Sequence, residues 1–444
     1  MNNAEKYTTR PEKLSIKKVL VTWLPLVASW TLMSLEIPVV NAIIARLSNP
    51  EINLAAYGGF VYPIALTIEA PVIMLLAGST ALSRDWQSYR RLRKITIWMG
   101  AGLSLLHLVI ALTPLFDFIA NVLLRLPPAL VEPGRSAFLM LTPWTFSIAY
   151  RRFQQGAMIR FGHSRAVGET TFIRLITVSI VLAVGITTKA LPGAVLAGLA
   201  QGLGVTIEAI YAGFRIRKII PEMKTAPKPE KPLTIRRFLT FYTPLALTST
   251  LWLLWQPIMS GSLSRMPDPI ESLAIWSVVN GLLFMFRSPG VAYNEAVVAL
   301  LEEPRSFPVL KKFAKVASLV SIGIAIIFVM TPLANLWFTY GANIRLPEVP
   351  IARNTMILGL PLALLPFFIS FYQGIIVDRE KTGPVAEAVA VFLLTISVLL
   401  IVGVITEIAK GVYVAAFAYS AAHLTQMLWL MFRSRKQRRF LASG

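Results

Sequence analysis

Four arginines, Arg151, Arg152, Arg174 and Arg287, stand inside long apolar runs of a chain that is 55% hydrophobic and only 15% charged. Each would cost about 2.5–3.5 kcal/mol at the centre of a helix facing lipid. Their guanidinium groups must therefore face an aqueous cavity, the inside of a helical bundle or an acidic partner. In a low-dielectric cleft a guanidinium binds carboxylate or phosphate through two parallel N–H donors, which points to a multivalent small organic anion as substrate. The acidic side chains in the same kind of run are Glu36, Glu69, Glu208 and Glu295. They are candidates for gating or for holding a coupling ion, Na+ or H+. Asn280 and Trp255 complete the candidate substrate-binding set. Trp252, Trp255 and Trp276 serve equally well as packing or interfacial anchors.

Several chemistries are excluded by residue type. With no cysteine, the chain has no disulfide, thiolate metal site or catalytic thiol. His107, His163 and His423 are scattered without metal-ligand spacing. No phosphate-binding loop, HExxH or GxSxG motif is present, so neither an enzyme nor a cofactor is expected, and an ATP-driven pump would need a separate subunit. The formal charge of +21 invites a nucleic-acid reading, but such patches should lie on one soluble face. Here the basic residues fall in loops between apolar runs.

Those runs are the elements that must position the arginines. Stretches of 20 or more apolar residues recur along all 444 residues, at a mean hydropathy of +0.65, and each is long enough to cross roughly 30 Å of hydrocarbon. Windows of about 19 residues predict spans near 18–45, 53–82, 95–123, 136–159, 166–188 and 191–214. A second set follows near 235–262, 270–300, 313–340, 350–377, 383–407 and 410–432. Between them the lysine- and proline-rich segment around MKTAPKPEKP resists helix formation and reads as a solvated linker. The expected organisation is an N-terminal lobe (1–214, spans 1–6), a cytoplasmic linker (215–234) and a C-terminal lobe (235–444, spans 7–12). No cleavable signal peptide is evident, since the polar opening runs straight into the first span. If alternate loops face the cytoplasm, the outward ones hold only Arg46, Arg125, Arg135, Lys189, Arg265, Arg345, Arg353 and Lys410 of the 43 Lys and Arg. The four intramembrane arginines aside, the rest lie on the inward side. By the positive-inside rule both termini are cytoplasmic in a cell membrane, and the basic excess is a topology signal with contact to anionic lipid headgroups.

Sliding the sequence on itself reveals a duplication at an offset of about 218 residues. WLPLVAS at 23 meets YTPLALT at 242, Thr113-Pro114 meets Thr331-Pro332, Arg125-Leu126-Pro127 meets Arg345-Leu346-Pro347, and Gln155-Gly156 meets Gln373-Gly374. Six spans per unit, an even number, make the units parallel repeats, with a cleft between bundles that can open alternately to either side. Charge breaks the symmetry. Arg151 and Arg152 align with Ile369 and Ser370, Arg174 with Phe392, and the match of Pro71 with Pro289 sets Glu69 opposite Arg287. Two roles stay open for that last pair: an interhelical ion pair that closes a gate, or contact with substrate. Arg151 and Arg152 point about 100° apart on a helix, so one can reach a cavity while the other snorkels. Glu169 and Glu387 recur in both halves near helix starts, which fits structural pairing.

Three stretches, LAAYGGFVYPIALTIEAP at 54, RSAFLMLTPWTFSIAYRRFQQG at 135, and IRKIIPEMK followed by TIRRFLTFYTPLAL across the linker, resemble the progressive ankylosis protein family. That family is placed with the multidrug, oligosaccharidyl-lipid and polysaccharide exporters of MATE-like fold. The resemblance implies an all-α integral membrane protein of about twelve helices in two pseudo-symmetric bundles. It also implies export of small organic anions such as ATP, citrate or pyrophosphate. A major-facilitator protein is also six plus six, but the loop SRDWQSYRRLRK lacks that family's glycine-spaced GxxxDRxGRR pattern. A cation-coupled multidrug exporter and a lipid-headgroup flippase are the alternatives. Expected partners are the anion, a coupling ion and membrane lipids, with no nucleic acid and a monomeric state.

Overall fold

The computed structural model describes residues 14–229, 232–301, 303, 306–377 and 383–438. Of the basic set, Lys6, Arg10, Lys13, Lys231, Arg305, Arg379, Lys381 and Arg439 lie outside the described residues. The described chain is all helix and turn, with no strand. Twelve spans follow one another: α1 (Ile16–Ile44), α2 (Pro50–Leu82), α3 (Trp86–Leu112), α4 (Val131–Met140 and Thr142–Arg160), α5 (Ser164–Thr188) and α6 (Gly193–Arg215). The second six are α7 (Ile235–Leu263), α8 (Pro269–Leu300), α9 (Ser306–Met330), α10 (Val349–Leu358 and Leu365–Val377), α11 (Gly383–Thr406) and α12 (Gly411–Arg433). Nine helices are long and apolar enough to cross a bilayer among the described residues, and the protein is a multi-pass membrane protein.

Local chemistry explains where helices start and break. Ser15, Asp85 and Thr234 cap α1, α3 and α7 by accepting hydrogen bonds from backbone amides one turn ahead. The sequence predicts spans to 123 and 340, but α3 and α9 end at Leu112 and Met330. The residues before Pro114 and Pro332 are extended there, because proline's ring disfavours helical geometry in the residue it follows. Short helical pieces then run to Leu123 and Gly341, each closing in a π-helical turn. A second difference lies in the linker, where Ile220–Thr225 is helical. Ile216, Ile219 and Met223 are buried, so apolar burial overrides the local breakers as far as Thr225. The stretch Ala226–Pro229 is non-helical, as its composition requires.

The duplication reaches the backbone. Among the described residues, the non-glycine positions with positive φ form three repeat pairs: Asn49 (47°) with Asp268 (51°), Arg125 (53°) with Asn343 (52°), and Lys189 (51°) with Glu407 (45°), so the structure sets Arg125 against Asn343 rather than against Arg345, with which the Arg-Leu-Pro match pairs it. The left-handed region is strained for side chains with a Cβ, so its recurrence marks one architecture built twice. The ion pairs Arg215–Glu169 and Arg433–Glu387, both 2.8 Å, recur in the same way and meet the expectation that these glutamates pair structurally. Not every feature is repeated. Residues Tyr57–Val61 of α2 form a π-helical turn, whereas the equivalent stretch of α8 is regular α-helix.

The halves exchange their leading helices. The first part of α1 packs with the second half, where Leu14, Val19, Trp23 and Leu26 join a core with Tyr293, Phe313 and Phe367. The first part of α7 packs with the first half: Phe238 and Tyr242 are buried there, and Tyr242 lies against Gly78. On the face away from the termini, Arg46 donates to the carbonyls of Gly341 (2.8 Å) and Tyr340, and Arg265 donates to those of Leu123 (2.7 Å) and Leu124 (3.1 Å). Asn343 donates to the Ala45 carbonyl at 2.6 Å.

Candidate functional site

Polar residues inside the first half gather around Glu208 of α6, which is fully buried. Arg151 of α4 pairs with it at 3.0 Å, Gln155 donates to it at 3.1 Å, and the hydroxyl of Thr170 on α5 lies within 3.3 Å. Arg174 of α5 bridges Glu36 of α1 at 3.0 Å and approaches Glu208 at 3.6 Å. The residues thus form one chain, Glu36 to Arg174 to Glu208 to Arg151, in which opposite charges alternate. Opposite charge is what makes burial of four ions tolerable in an apolar bundle.

Two charged groups of the same region stand outside this chain. Glu69 of α2 is buried, forms no ion pair among the described residues, and leaves one carboxylate oxygen without a hydrogen-bond partner. It lies within electrostatic reach of Arg151, Arg152 and Arg174. Arg152 is half-buried, its Nε is buried without a partner, and no ion pair engages it among the described residues.

The second half fills the equivalent volume with aromatic rings. Trp255 stands where the repeat has Glu36, and Phe392 where it has Arg174. Trp255 stacks on Tyr419 with ring centroids 4.5 Å apart, while Phe392 meets Trp252 at 4.9 Å and His423 at 5.0 Å. Arg287 is the cation of this half. Its guanidinium donates to the Tyr419 hydroxyl and lies over the rings of Phe284 and Tyr419 at 5.2 and 5.6 Å. No ion pair joins Arg287 to Glu69 or to any other acid among the described residues, so the open choice for that pair narrows. Repeat-equivalent positions lie in different bundles, each facing its own core.

Between the halves a cavity of about 30 Å³ is bordered by Asn41, Tyr57, Tyr62, Gln201, Gln256 and Asn280. That is room for roughly two water molecules. Asn41 donates to the Ser277 carbonyl at 2.9 Å across the interface. Asn280 is thus the one candidate residue that borders this cavity. Glu295 is exposed on α8 and accepts a hydrogen bond from Trp30 of α1 at 3.2 Å, apart from the other carboxylates. Sequence reasoning missed Gln155, Thr170, Tyr57, Tyr62, Gln201 and Tyr419. The adjacent glutamines Gln154 and Gln155, and Gln201 within an apolar span, were the available signal.

At the ends of the spans, Arg345 pairs with Glu51 at 3.0 Å across the halves. Burial, followed by the charge of Glu51, holds the carboxyl of nearby Glu348 above its ordinary range. The hydrogen bond from Lys410 to Glu271, 2.8 Å long, raises the lysine. No site for a metal appears among the described residues.

Comparison with known structures settles the fold. The chain superposes on an inward-facing multidrug resistance MATE family transporter of the MOP superfamily (TM-score 0.65, 14% identity, covering 94% of this chain and 99% of that one). It also superposes on lipid II flippase MurJ in an inward closed conformation (TM-score 0.70, 14% identity, 94% and 90% covered). A third likeness is to a MOP superfamily transporter from Pyrococcus furiosus, described by the reverse polarity of its binding pocket (TM-score 0.61, 16% identity, 96% and 97% covered). The fold is MATE-like. No family model and no curated protein matches the sequence.

Proposed function

We propose that this protein is a secondary-active transporter that exports small organic anions by alternating access of two lobes, 1–214 and 235–444, joined by the 215–234 linker. The observation that carries the reading is the division among the four arginines. Arg151 and Arg174 are consumed by buried carboxylates. Arg152 and Arg287, one in each half and each half-buried, have no acidic partner among the described residues. A cation kept inside a membrane protein without an ion-pair partner is suited to a counter-charge that arrives and leaves. The resemblance to the progressive ankylosis family supports ATP, citrate or pyrophosphate-like anions as candidates, and the basic loops support a cell-membrane location with cytoplasmic termini.

Glu69, buried and outside every ion pair among the described residues, is the candidate for coupling to H+ or Na+. It also favours a second reading, a cation-coupled exporter of MATE type, in which that carboxylate binds the drug cation or its counter-ion.

The test is a counterflow screen in proteoliposomes across nucleotides, citrate, pyrophosphate and cationic drugs. The anion reading expects exchange of at least one anion, lost in Arg152→Gln and Arg287→Gln while the purified variants stay monodisperse. Exchange of cationic drugs alone, abolished by Glu69→Gln, would replace it with the second reading.

A further inference from the structure

The polar residues that border the cavity between the halves are all uncharged. A few residues away lies a network of full charges, yet Asn41, Gln201, Gln256, Asn280, Tyr57 and Tyr62 border the cavity beside Ser277 and the apolar Ile37 and Val40. Each of the polar groups both donates and accepts hydrogen bonds. A carboxylate or phosphate asks for donors only, and a metal ion for acceptors only. A neutral hydroxyl, which gives one hydrogen bond and takes others, matches this lining.

Two features of the cavity suit a ligand group. Tyr57 is 4% exposed, and its hydroxyl has no hydrogen-bond partner. Buried polar groups without partners are rare, and each calls for an explanation. The backbone at this place also departs from the repeat, in the π-helical turn Tyr57–Val61. Such turns concentrate at functional sites. It brings α2 so close to α8 that a Cβ added to Gly58 would sit 1.7 Å from the Ser277 hydroxyl. The lining comes from α1, α2 and α6 of one half and α7 and α8 of the other, so the site exists only while the halves are together.

The geometry points to this cavity as the subsite that receives an uncharged hydroxyl of the transported anion, and so as the determinant that separates hydroxylated anions from their deoxy analogues. The inference rests on the anion-export reading. At about 30 Å³ the cavity cannot hold a whole anion, but it can hold one hydroxyl group and an accompanying water. Tyr62 joins the two environments. It borders the cavity and lies within electrostatic reach of Glu69, Glu36, Arg174 and Arg151.

Citrate and tricarballylate carry the same three carboxylates and differ by one hydroxyl, which makes them the probes. Proteoliposomes loaded with either are assayed for release by the full-length protein, by Tyr57→Phe and by Gln201→Leu. Tyr57→Phe removes an oxygen that bonds to nothing, so folding is not at risk, and its melting temperature should equal or exceed the parent's. A site built to hydrogen-bond a hydroxyl discriminates strongly against its absence. Release of citrate should therefore exceed that of tricarballylate by roughly tenfold or more in the parent. The ratio should fall toward one in both variants, because citrate release falls further than tricarballylate release. Equal release of both anions by the parent, or an equal fall for both in Tyr57→Phe, overturns the subsite. If neither is released while another anion is, the subsite is overturned and anion export stands. Release of no anion at all overturns both.

Discussion

Trp23 and Tyr242 occupy equivalent positions in the two repeats and make equivalent hydrogen bonds into the opposite half. Trp23 Nε1 donates to the carbonyl of Pro289 at 3.0 Å, and the Tyr242 hydroxyl donates to the carbonyl of Pro71 at 2.6 Å. The acceptors are themselves the repeat-equivalent prolines of α8 and α2. Each leading helix is therefore pinned to the partner half at the same kink.

Removing either pin should cost about 1 kcal/mol, the ordinary net worth of a hydrogen bond. Trp23→Phe and Tyr242→Phe keep the ring and delete the donor. Thermal unfolding in detergent should show a small, similar drop for each and a summed drop for the double variant, since the two bonds share no partner. A double variant no worse than either single would show that one pin alone bears on stability.

Arg46 and Arg265 tie the halves on the face away from the termini through backbone carbonyls, so their loss should favour opening on that side. The chain has no cysteine, and Asn280→Cys therefore gives a single reporter at the cavity. With a membrane-impermeant thiol reagent added on that side, labelling should be roughly tenfold faster in Arg46→Ala/Arg265→Ala, in keeping with bonds from a charged donor of about 1.5–3 kcal/mol. Unchanged labelling would mean that these bonds do not hold the face shut.

Glu208 is the hub of the buried network, and Glu208→Gln should leave Arg151 uncompensated. Breaking a buried pair at one partner costs about 3–5 kcal/mol. Pairing it with Arg151→Gln should recover part of that loss, which a double-mutant cycle on melting temperatures would reveal. Arg152→Gln, whose guanidinium has no ion-pair partner among the described residues, should be nearly neutral for stability.

Glu348 carries a pH prediction. Its carboxyl is held up in the folded protein by burial first and by Glu51 second, so folding favours the protonated form. A group raised on folding contributes stability below its unfolded value, about 4.3, and loses it as pH rises through the folded one. Glu348→Gln should therefore match the parent in acid and melt higher than the parent at neutral pH. A gap of the opposite sign at neutral pH would show that the 3.7 Å contact with Arg345 dominates.

Much of this architecture was legible in sequence because its determinants are local and repeated. Apolar runs mark the spans, and duplicated prolines mark the kinks. Glu169 and Glu387 announce their pairing by recurring together with Arg215 and Arg433. What was not legible depends on rotation and depth. Nothing in spacing says that Arg174 turns toward Glu36 rather than toward a cleft, or that Arg151 meets Glu208 from 57 residues away. The likeness in position of Glu69 and Arg287 suggested a pair, but a repeat places equivalents in separate bundles. The π-helical turn at Tyr57 has no simple signature, because two glycines permit it without requiring it.

The crossing of α1 into the other half has a consequence for biosynthesis. Trp23 meets Pro289 across 266 residues of sequence. At about 5–20 residues per second, α1 leaves the ribosome on the order of tens of seconds before its docking surface on α8, α9 and α10 exists. During that interval its apolar flank has only lipid or a chaperone for company. Completion of the first half must therefore await synthesis of the second, and a chain cut at the linker should mature only when both fragments are made in the same membrane.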